Sequence, residues 1–392
     1  MSPLLRTAVV ALGCAIAALA IGTWLGGHPD RLPQWARNAF VDDDRALRAE
    51  LIDRIEEDFY KDVSGKDLEE ESLKGMVRSL GDRFSEYFTP AEARQLRQSL
   101  SSQFEGIGVT VQPEDRGLKI VSVFEGSPAS KVGIHKADVI VGVNGRSIAG
   151  VPSDVATGRI KGPAGTSVSL SVLTPGRERP RRFRVERAKI EVPIAKGRLV
   201  REDGVPIAYV RLAAFNVGAH AAVRDELEPL LRRGARGIVL DLRGNGGGLL
   251  EEGVLVSSLF VERGPIVSTR GRARPKREFD AEGDAIATRE PMVVLVDGGT
   301  ASASEIVTGA LRDRGRARVV GEKTFGKGVF QEVESLSNGG VVELTVGSYY
   351  LPRGENLANK GIRPTVPARD VPRTRRDEAL PVALDVVAAS VR

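Results

Sequence analysis

The pattern of apolar and polar positions changes character several times along the 392-residue chain. Residues 8–25 are uncharged and mostly apolar, preceded by a single cation, Arg6. At 1.5 Å per residue a helix of that length spans about 27 Å, close to the hydrocarbon thickness of a bilayer. Residues 1–26 are therefore expected to be an uncleaved membrane anchor, with a secretory signal as the rival, because Ala18-Leu19-Ala20 fits a signal cleavage pattern. Residues 42–103 then follow a helical period. Leu47, Leu51, Ile52, Ile55 and Phe59 repeat on one face, and Leu73, Met76, Val77 and Leu80 do so before Gly81 ends the run. Pro90 opens a further helix to about Leu100. This region carries no catalytic pattern and is expected to pack or oligomerise.

At Phe104 the texture becomes β. Runs at residues 104–111, 118–124, 138–145 and 166–173 read as strands, with turns at Asn144-Gly145 and Pro163-Ala164-Gly165. Short helical pieces at 127–134 and 153–160 lie between them. From Gly204 onward the chain alternates strand and helix. IAYVRLAAF (207–215), GIVLDL (237–242) and MVVLVD (292–297) read as strands, the second and third as buried ones. Helices are expected over 219–233, with Pro229 disturbing it, over 249–260, and from the turn after Asp297 to about Asp313. That alternation implies parallel crossover units, whose sites lie at the carboxyl ends of the strands.

Composition narrows the chemistry. Lys+Arg 57 against Asp+Glu 52 leaves a net charge of +5 with no long basic block, so nothing points to nucleic acid. The lone Cys14 excludes an internal disulfide and a thiolate metal site. Three histidines, His28, His135 and His220, leave little room for zinc or a histidine triad, and none stands in a catalytic motif.

Two glycine-rich turns follow buried strands. RGNGGGLL (243–250) lacks the Lys-Ser/Thr ending of a phosphate loop, the third glycine of a dinucleotide fingerprint and the serine of a nucleophile elbow. It remains either a plain turn or a cradle of backbone N–H groups for an anion or oxyanion. In GGTASASEIV (298–307), Thr300, Ser302 and Ser304 are more hydroxyls than a helix cap requires. Ser302, at the helix start, is a candidate nucleophile. A base is offered by FGKGVFQEV (325–333), where Lys327 sits amid Phe325, Val329 and Phe330, an apolar setting that would lower an amine pKa. If a strand begins near Gly328, then Lys327, Val329 and Gln331 share a face, and Gln331 could orient the amine.

Two resemblances join these pieces. Residues 104–186, with GSPA, VGI and VNG in order, resemble a PDZ domain. That likeness implies that the loop Gly106-Ile107-Gly108, running into Val109, captures the terminal carboxylate of a peptide that adds as a strand. ASASEI followed by FGKGVFQ resembles the carboxyl-terminal processing peptidases, also called tail-specific proteases. GDRFSEYFTPAE (81–92), DLRGNGGGLL (241–250) and YYLPRGENLANKGIRPTV (349–366) extend the likeness over most of the chain. The resemblance implies an α/β fold: a crotonase/ClpP-like peptidase core with an inserted PDZ domain, an N-terminal helical region and an N-terminal membrane or signal segment. Divisions are expected at residues 1–26, 27–100 (helical), 101–190 (PDZ), 191–370 (core) and 371–392 (helical tail).

By the same resemblance Ser302 is the nucleophile, Lys327 the general base and Gln331 its support. Oxyanion donors are Ala303 and a loop glycine, Gly247 or Gly248. No metal or cofactor is implied. The implied partners are protein substrates with exposed C-terminal tails, the membrane through the N-terminal segment, and a homo-oligomer or adaptor protein. The expected place is the bacterial cell envelope, anchored in the inner membrane with the catalytic part periplasmic. Gly246 departs from a frequent proline, which bears on the rigidity of the oxyanion loop. An inactive PDZ scaffold or chaperone, and a crotonase-like acyl-CoA enzyme, are the alternatives.

Overall fold

The computed structural model describes residues 43–101, 103–371, 374 and 376–392. The expected anchor at 1–26, with Cys14, and His28 lie outside the described residues. Among the described residues no helix is long and apolar enough to cross a membrane. The chain divides into two compact units, one ending at Thr89 and one beginning at Pro90.

The first unit contains α1 (Asp43–Asp58), α2 (Gly65–Arg78) and the short β1 (Glu86–Phe88). The helical period of the sequence holds here, but its apolar face is not buried. Leu47 and Leu51 on α1 are 66% and 59% exposed, and α2 buries no residue. Ile52, Ile55, Leu73 and Val77 are half-buried, so the apolar stripe of the two helices is covered only in part.

The second unit opens with α3 (Pro90–Leu100) and β2 (Gln103–Gly106). A first module follows: β3 (Val109–Glu114), β4 (Gly117–Val123), α4 (Pro128–Lys131), β5 (Val139–Val143) and β6 (Arg146–Ser147). It continues with α5 (Ser153–Ile160), β7 (Ser167–Leu173) and β8 (Arg181–Glu186), and leaves through β9 (Ala188–Glu191). The antiparallel sheet runs β3-β4-β5-β7-β8, with β6 on β5, so β3 is an edge strand. Ile120, Ile140, Leu170, Val172 and Val185 form its closed core. Strand β2 pairs with β9, so the entry and exit of the module are zipped together.

The run 104–111, expected as one strand, is broken into β2 and β3. Gly108 turns the corner at φ +79°, and a Cβ there would lie 2.3 Å from Ser127 Cβ. Strand β8 has no counterpart among the expected strands, because RRFRVE presents Phe183 and Val185 to the core between four charged positions.

The core then runs β10 (Ala195–Glu202), β11 (Val205–Leu212), α6 (Ala219–Arg232), β12 (Gly237–Asp241), α7 (Leu250–Ser258), β13 (Pro265–Arg270) and β14 (Arg277–Asp280). Next come β15 (Met292–Val296), α8 (Ala303–Asp313), β16 (Arg318–Gly321), β17 (Val329–Ser335), β18 (Val341–Tyr350), β19 (Val366–Pro367) and α9 (Ala379–Val391). A sheet of order β10-β11-β12-β15-β16-β19 forms its centre. Only β10 is antiparallel to its neighbour. Strands β12 and β15 are buried at every residue, which is why they read as unbroken apolar runs.

The two-residue period divides their side chains. Ile238, Leu240, Val294 and Val296 face the cluster that holds α6, α7 and α8. Val239, Val293 and Leu295 face Leu380, Ala383, Leu384 and Val387 of α9. Strands β14, β13, β18 and β17 make a further antiparallel sheet. The carboxyl ends of β12 and β15 lie side by side, and both glycine turns leave from there.

Helix α9 sits so close to the start of β12 that only glycine fits at position 237, where a Cβ would lie 2.2 Å from Val387 Cγ1. Gly237→Ala should therefore destabilise the full chain by about 1–3 kcal/mol, the usual cost of overpacking. Urea unfolding checks this, and an unchanged midpoint would mean that α9 is not seated on the sheet as described.

Candidate functional site

The two glycine turns are stitched to each other by hydrogen bonds. Gly244 N–H donates to Asp297 Oδ1 at 2.9 Å, and Thr300 Oγ1 donates to the Leu242 carbonyl at 2.9 Å. The Asn245 carbonyl accepts from Ala301 N–H at 3.0 Å and from Ser304 Oγ at 2.8 Å. Asn245 itself is fully buried, with Nδ2 on the Leu212 carbonyl at 3.0 Å and Oδ1 accepting Gly247 N–H at 2.9 Å. A Cβ at Gly247 would stand 2.7 Å from Ser302 Cβ, so glycine is what lets the turns touch. This sorts the three hydroxyls of the serine-rich turn. Thr300 and Ser304 are buried fasteners, whereas Ser302 is partly exposed beside a cavity.

Ser302 precedes α8 with φ 57° and ψ −120°, a backbone that L-residues seldom adopt. Its N–H donates to Glu305 Oε2 at 3.1 Å. Glu305 is fully buried, and its carboxylate collects donors from two separate segments. Oε2 also accepts Lys327 N–H at 3.0 Å. Oε1 accepts Gly326 N–H at 2.7 Å and Thr324 Oγ1 at 2.5 Å. The Tyr349 hydroxyl bonds to the same carboxylate, and burial first, then the Glu305 charge, pushes that phenol well above its ordinary range. One carboxylate oxygen thus joins the backbone of Ser302 to that of Lys327.

Lys327 stands between Gly326 and Gly328, at φ 84° and 65°. Both glycines press against residues 358–361, where a Cβ on Gly328 would lie 2.2 Å from Ala358 N. Strand β17 begins only at Val329, and its register shifts between Phe330 and Gln331. The expected common face of Lys327, Val329 and Gln331 therefore does not come from strand alternation, because a bulge breaks the period. Gln331 Nε2 donates to Thr345 Oγ1 at 3.0 Å. Phe325, expected beside the lysine, is instead 45% exposed.

Even so, Ser302, Ala303, Lys327, Gln331 and Gly248 all line one cavity of about 470 Å³. Val329, Phe330, Ile306, Leu249 and Tyr349 supply much of its apolar wall. Among the described residues, Gly248 and Ala303 N–H donate to no protein acceptor, whereas Gly247 N–H is taken by Asn245. Neither described histidine lines this cavity. His220 Nδ1 lies 2.9 Å from Glu252 Oε2 at the start of α6, and His135 is in the β-sheet module. No group of three or more His, Cys, Asp or Glu among the described residues could hold a metal ion.

Arg243, at the entrance of the first glycine turn, is held by three carboxylates. It contacts Asp241 at 2.7 Å, Asp370 at 2.7 Å and Asp377 at 2.8 Å. Behind it Tyr209 donates to Asp241 Oδ2 at 2.8 Å, and burial followed by the Asp241 charge raises that phenol to about 12. Sequence reasoning had no role for Arg243, Asn245 or Glu305. Only Glu305 carried a local signal, since Ser302-x-x-Glu305 has the spacing of a helix capping box.

In the β-sheet module, the expected binding loop loses Gly106 to β2 and consists of Ile107 and Gly108 before Val109 of β3. Their carbonyls are used internally, Ile107 accepting Ala129 N–H at 2.9 Å and Gly108 accepting Phe124 N–H at 3.0 Å. Among the described residues, the N–H groups of Ile107 and Gly108 meet no protein acceptor.

Residues 206–368 match the model of peptidase family S41, and residues 95–173 match that of the PDZ domain. The chain is 37% identical over 296 residues to a carboxyl-terminal-processing protease of Synechocystis sp., covering 75% of this chain and 69% of that protein. It is 34% identical over 322 residues to a carboxy-terminal-processing protease of Bartonella bacilliformis, covering 81% and 73%. With the carboxy-terminal processing protease CtpA of Bacillus subtilis it shares 33% identity over 366 residues, covering 93% and 77%.

Two stability measurements follow from the site. Glu305→Ala leaves several buried donors without a partner at about 1–3 kcal/mol each, so the melting temperature should fall by several degrees at least. Asp377 titrates below its ordinary value because of its hydrogen bond to Arg243. Its stabilising contribution is therefore complete above the unfolded-state pKa, about 3.9, and is lost as pH falls through the lower folded value. Asp377→Asn should narrow the stability gap between pH 6 and pH 3 in urea unfolding, and an unaltered gap would contradict the pairing.

Proposed function

The chain belongs to the carboxyl-terminal processing proteases of peptidase family S41 and carries a PDZ domain, and we propose that it is an endopeptidase in which Ser302 attacks and Lys327 serves as base. One observation carries this reading: both side chains line one cavity while their backbone N–H groups share a single oxygen of buried Glu305.

Neutral Lys327 takes the proton of Ser302 Oγ as that oxygen attacks the substrate's peptide carbonyl. The oxyanion that forms is held by the N–H groups of Ala303 and Gly248, since Gly247 N–H is engaged by Asn245. Each such donor is worth about 2.7–4 kcal/mol in comparable sites. The resulting ammonium protonates the leaving amine, and the carbon–nitrogen bond breaks to give the acyl-enzyme. Lysine, again neutral, then activates water, and hydrolysis of the ester restores Ser302. Gln331, on the same cavity wall, fixes the amine by hydrogen bonding without adding charge.

The PDZ domain selects substrates by their C-terminal tails. A tail adds beside edge strand β3, and its carboxylate is received by the N–H groups of Ile107, Gly108 and Val109. The apolar run 8–25 supports export, with residues 1–26 holding the enzyme to the inner membrane and the peptidase in the periplasm. An oligomer or an adaptor protein would engage through the open apolar face of α1 and α2.

Ser302→Ala should abolish cleavage of a model protein bearing an exposed apolar tail while tail binding, read by fluorescence anisotropy, persists. Continued proteolysis by that variant would remove Ser302 from the mechanism. Lys327→Arg should be inactive at every pH from 6 to 10, because a guanidinium stays protonated. Wild-type cleavage should rise as pH passes the lysine pKa.

A further inference from the structure

The Lys327 Cα lies between two peptide groups, and each of their N–H groups has a fixed acceptor. The N–H of Lys327 itself goes to Glu305 Oε2 at 3.0 Å. The N–H of Gly328, in the peptide on the other side, goes to the Tyr349 hydroxyl at 3.1 Å. Tyr349 is 1% exposed, and its hydroxyl is also hydrogen-bonded to Glu305. It therefore accepts from Gly328 and donates to the carboxylate. The backbone of Tyr349 grips the same residue, its N–H donating to the Gly328 carbonyl at 3.3 Å. Asn356 Nδ2 closes the arrangement, lying 2.7 Å from the carbonyls of both Gly328 and Tyr349.

From this geometry we infer that Tyr349 is a positioning residue for the reaction, which fixes the Lys327 backbone through Gly328 and tempers the Glu305 carboxylate beside it. The inference rests on the proposed role of Lys327 as base. A buried carboxylate near an amine favours the ammonium form, and the base must be neutral. Each donor that satisfies Glu305 disperses its charge, and among the described residues Tyr349 is the donor that comes from β18 rather than from residues 302–327. The remaining charged groups on the cavity wall are Glu251 from α7, Arg274 and Arg277 around β14, Glu332 from β17 and Glu343 from β18. Arg274 is paired with Glu332 and Glu334.

The test is Tyr349→Phe in the full chain, which keeps the ring and deletes the hydroxyl. The titration of Lys327 is read by competitive amine labelling and mass spectrometry, a measurement that needs no proteolytic activity. In Tyr349→Phe the midpoint should move to higher pH by half a unit or more, a direction that loosening of the loop into water would also give. To separate the two, 3-fluorotyrosine at 349 keeps the hydroxyl and makes it a stronger donor, so the midpoint should move to lower pH. Steady-state cleavage should show kcat down roughly tenfold, short of the ~10²-fold that a 1 Å misplacement costs, with KM within twofold and the rising limb of the pH profile following the labelling midpoint. Opposite movements of the midpoint in the two variants support the inference. An unmoved Lys327 midpoint in the fluorotyrosine protein, or a rise in KM at constant kcat in Tyr349→Phe, overturns it, and the fluorotyrosine arm decides the matter should Tyr349→Phe fail to fold. Absence of any proteolysis in the wild type, with the labelling shifts intact, would instead count against the proposed peptidase role.

Discussion

The site depends on a carboxylate that is shut away from solvent. Removing an ionised glutamate from water costs several kcal/mol unless its oxygens are saturated with donors. Glu305 meets that condition with backbone N–H groups from the serine turn and the lysine loop, a threonine hydroxyl and a tyrosine hydroxyl. Bonds to an ionised acceptor are worth about 1.5–3 kcal/mol each, so the serine turn and the lysine loop are drawn to one point by the need to satisfy one charge.

The sheet supplies the rest of the precision. Parallel β12 and β15 are neighbours in register, Leu240 opposite Val294 and Asp241 opposite Leu295. Their following turns must therefore emerge side by side, and Asn245, Asp297 and Thr300 convert that adjacency into contact. Arg243 extends the network to the C-terminal segment through Asp370 and Asp377. The PDZ domain, by contrast, has its own core and is closed by the β2–β9 pair. Recognition and chemistry are thus built from separate apolar clusters.

Much of this could be read from the sequence, for reasons that differ by element. Strands β12 and β15 were legible because burial on both faces leaves an unbroken apolar run. Strand β8 was not, since four charged residues hide its two inward positions. Ser302 and Lys327 stand out through paired motifs, but the bulge after Phe330 could not be foreseen from a two-residue period. Glu305 carries in the sequence only the spacing of a helix capping box. Its reach to residues 324–327 and to Tyr349 is a tertiary fact that no local pattern encodes. The helical stripe on α1 and α2 was correctly periodic, yet periodicity does not say what, if anything, covers it.

The backbone at Ser302 has a consequence for how such a chain can change over generations. Its φ of 57° with ψ −120° is comfortable for glycine and costly for any residue with a side chain. A lineage released from the need for hydrolysis would gain stability by replacing that serine with glycine and lose nothing in packing. Under the proposed mechanism, drift toward a sturdier protein is therefore steepest at the residue that carries the attacking oxygen. With serine at this backbone the chain sits below the stability that its own fold would allow.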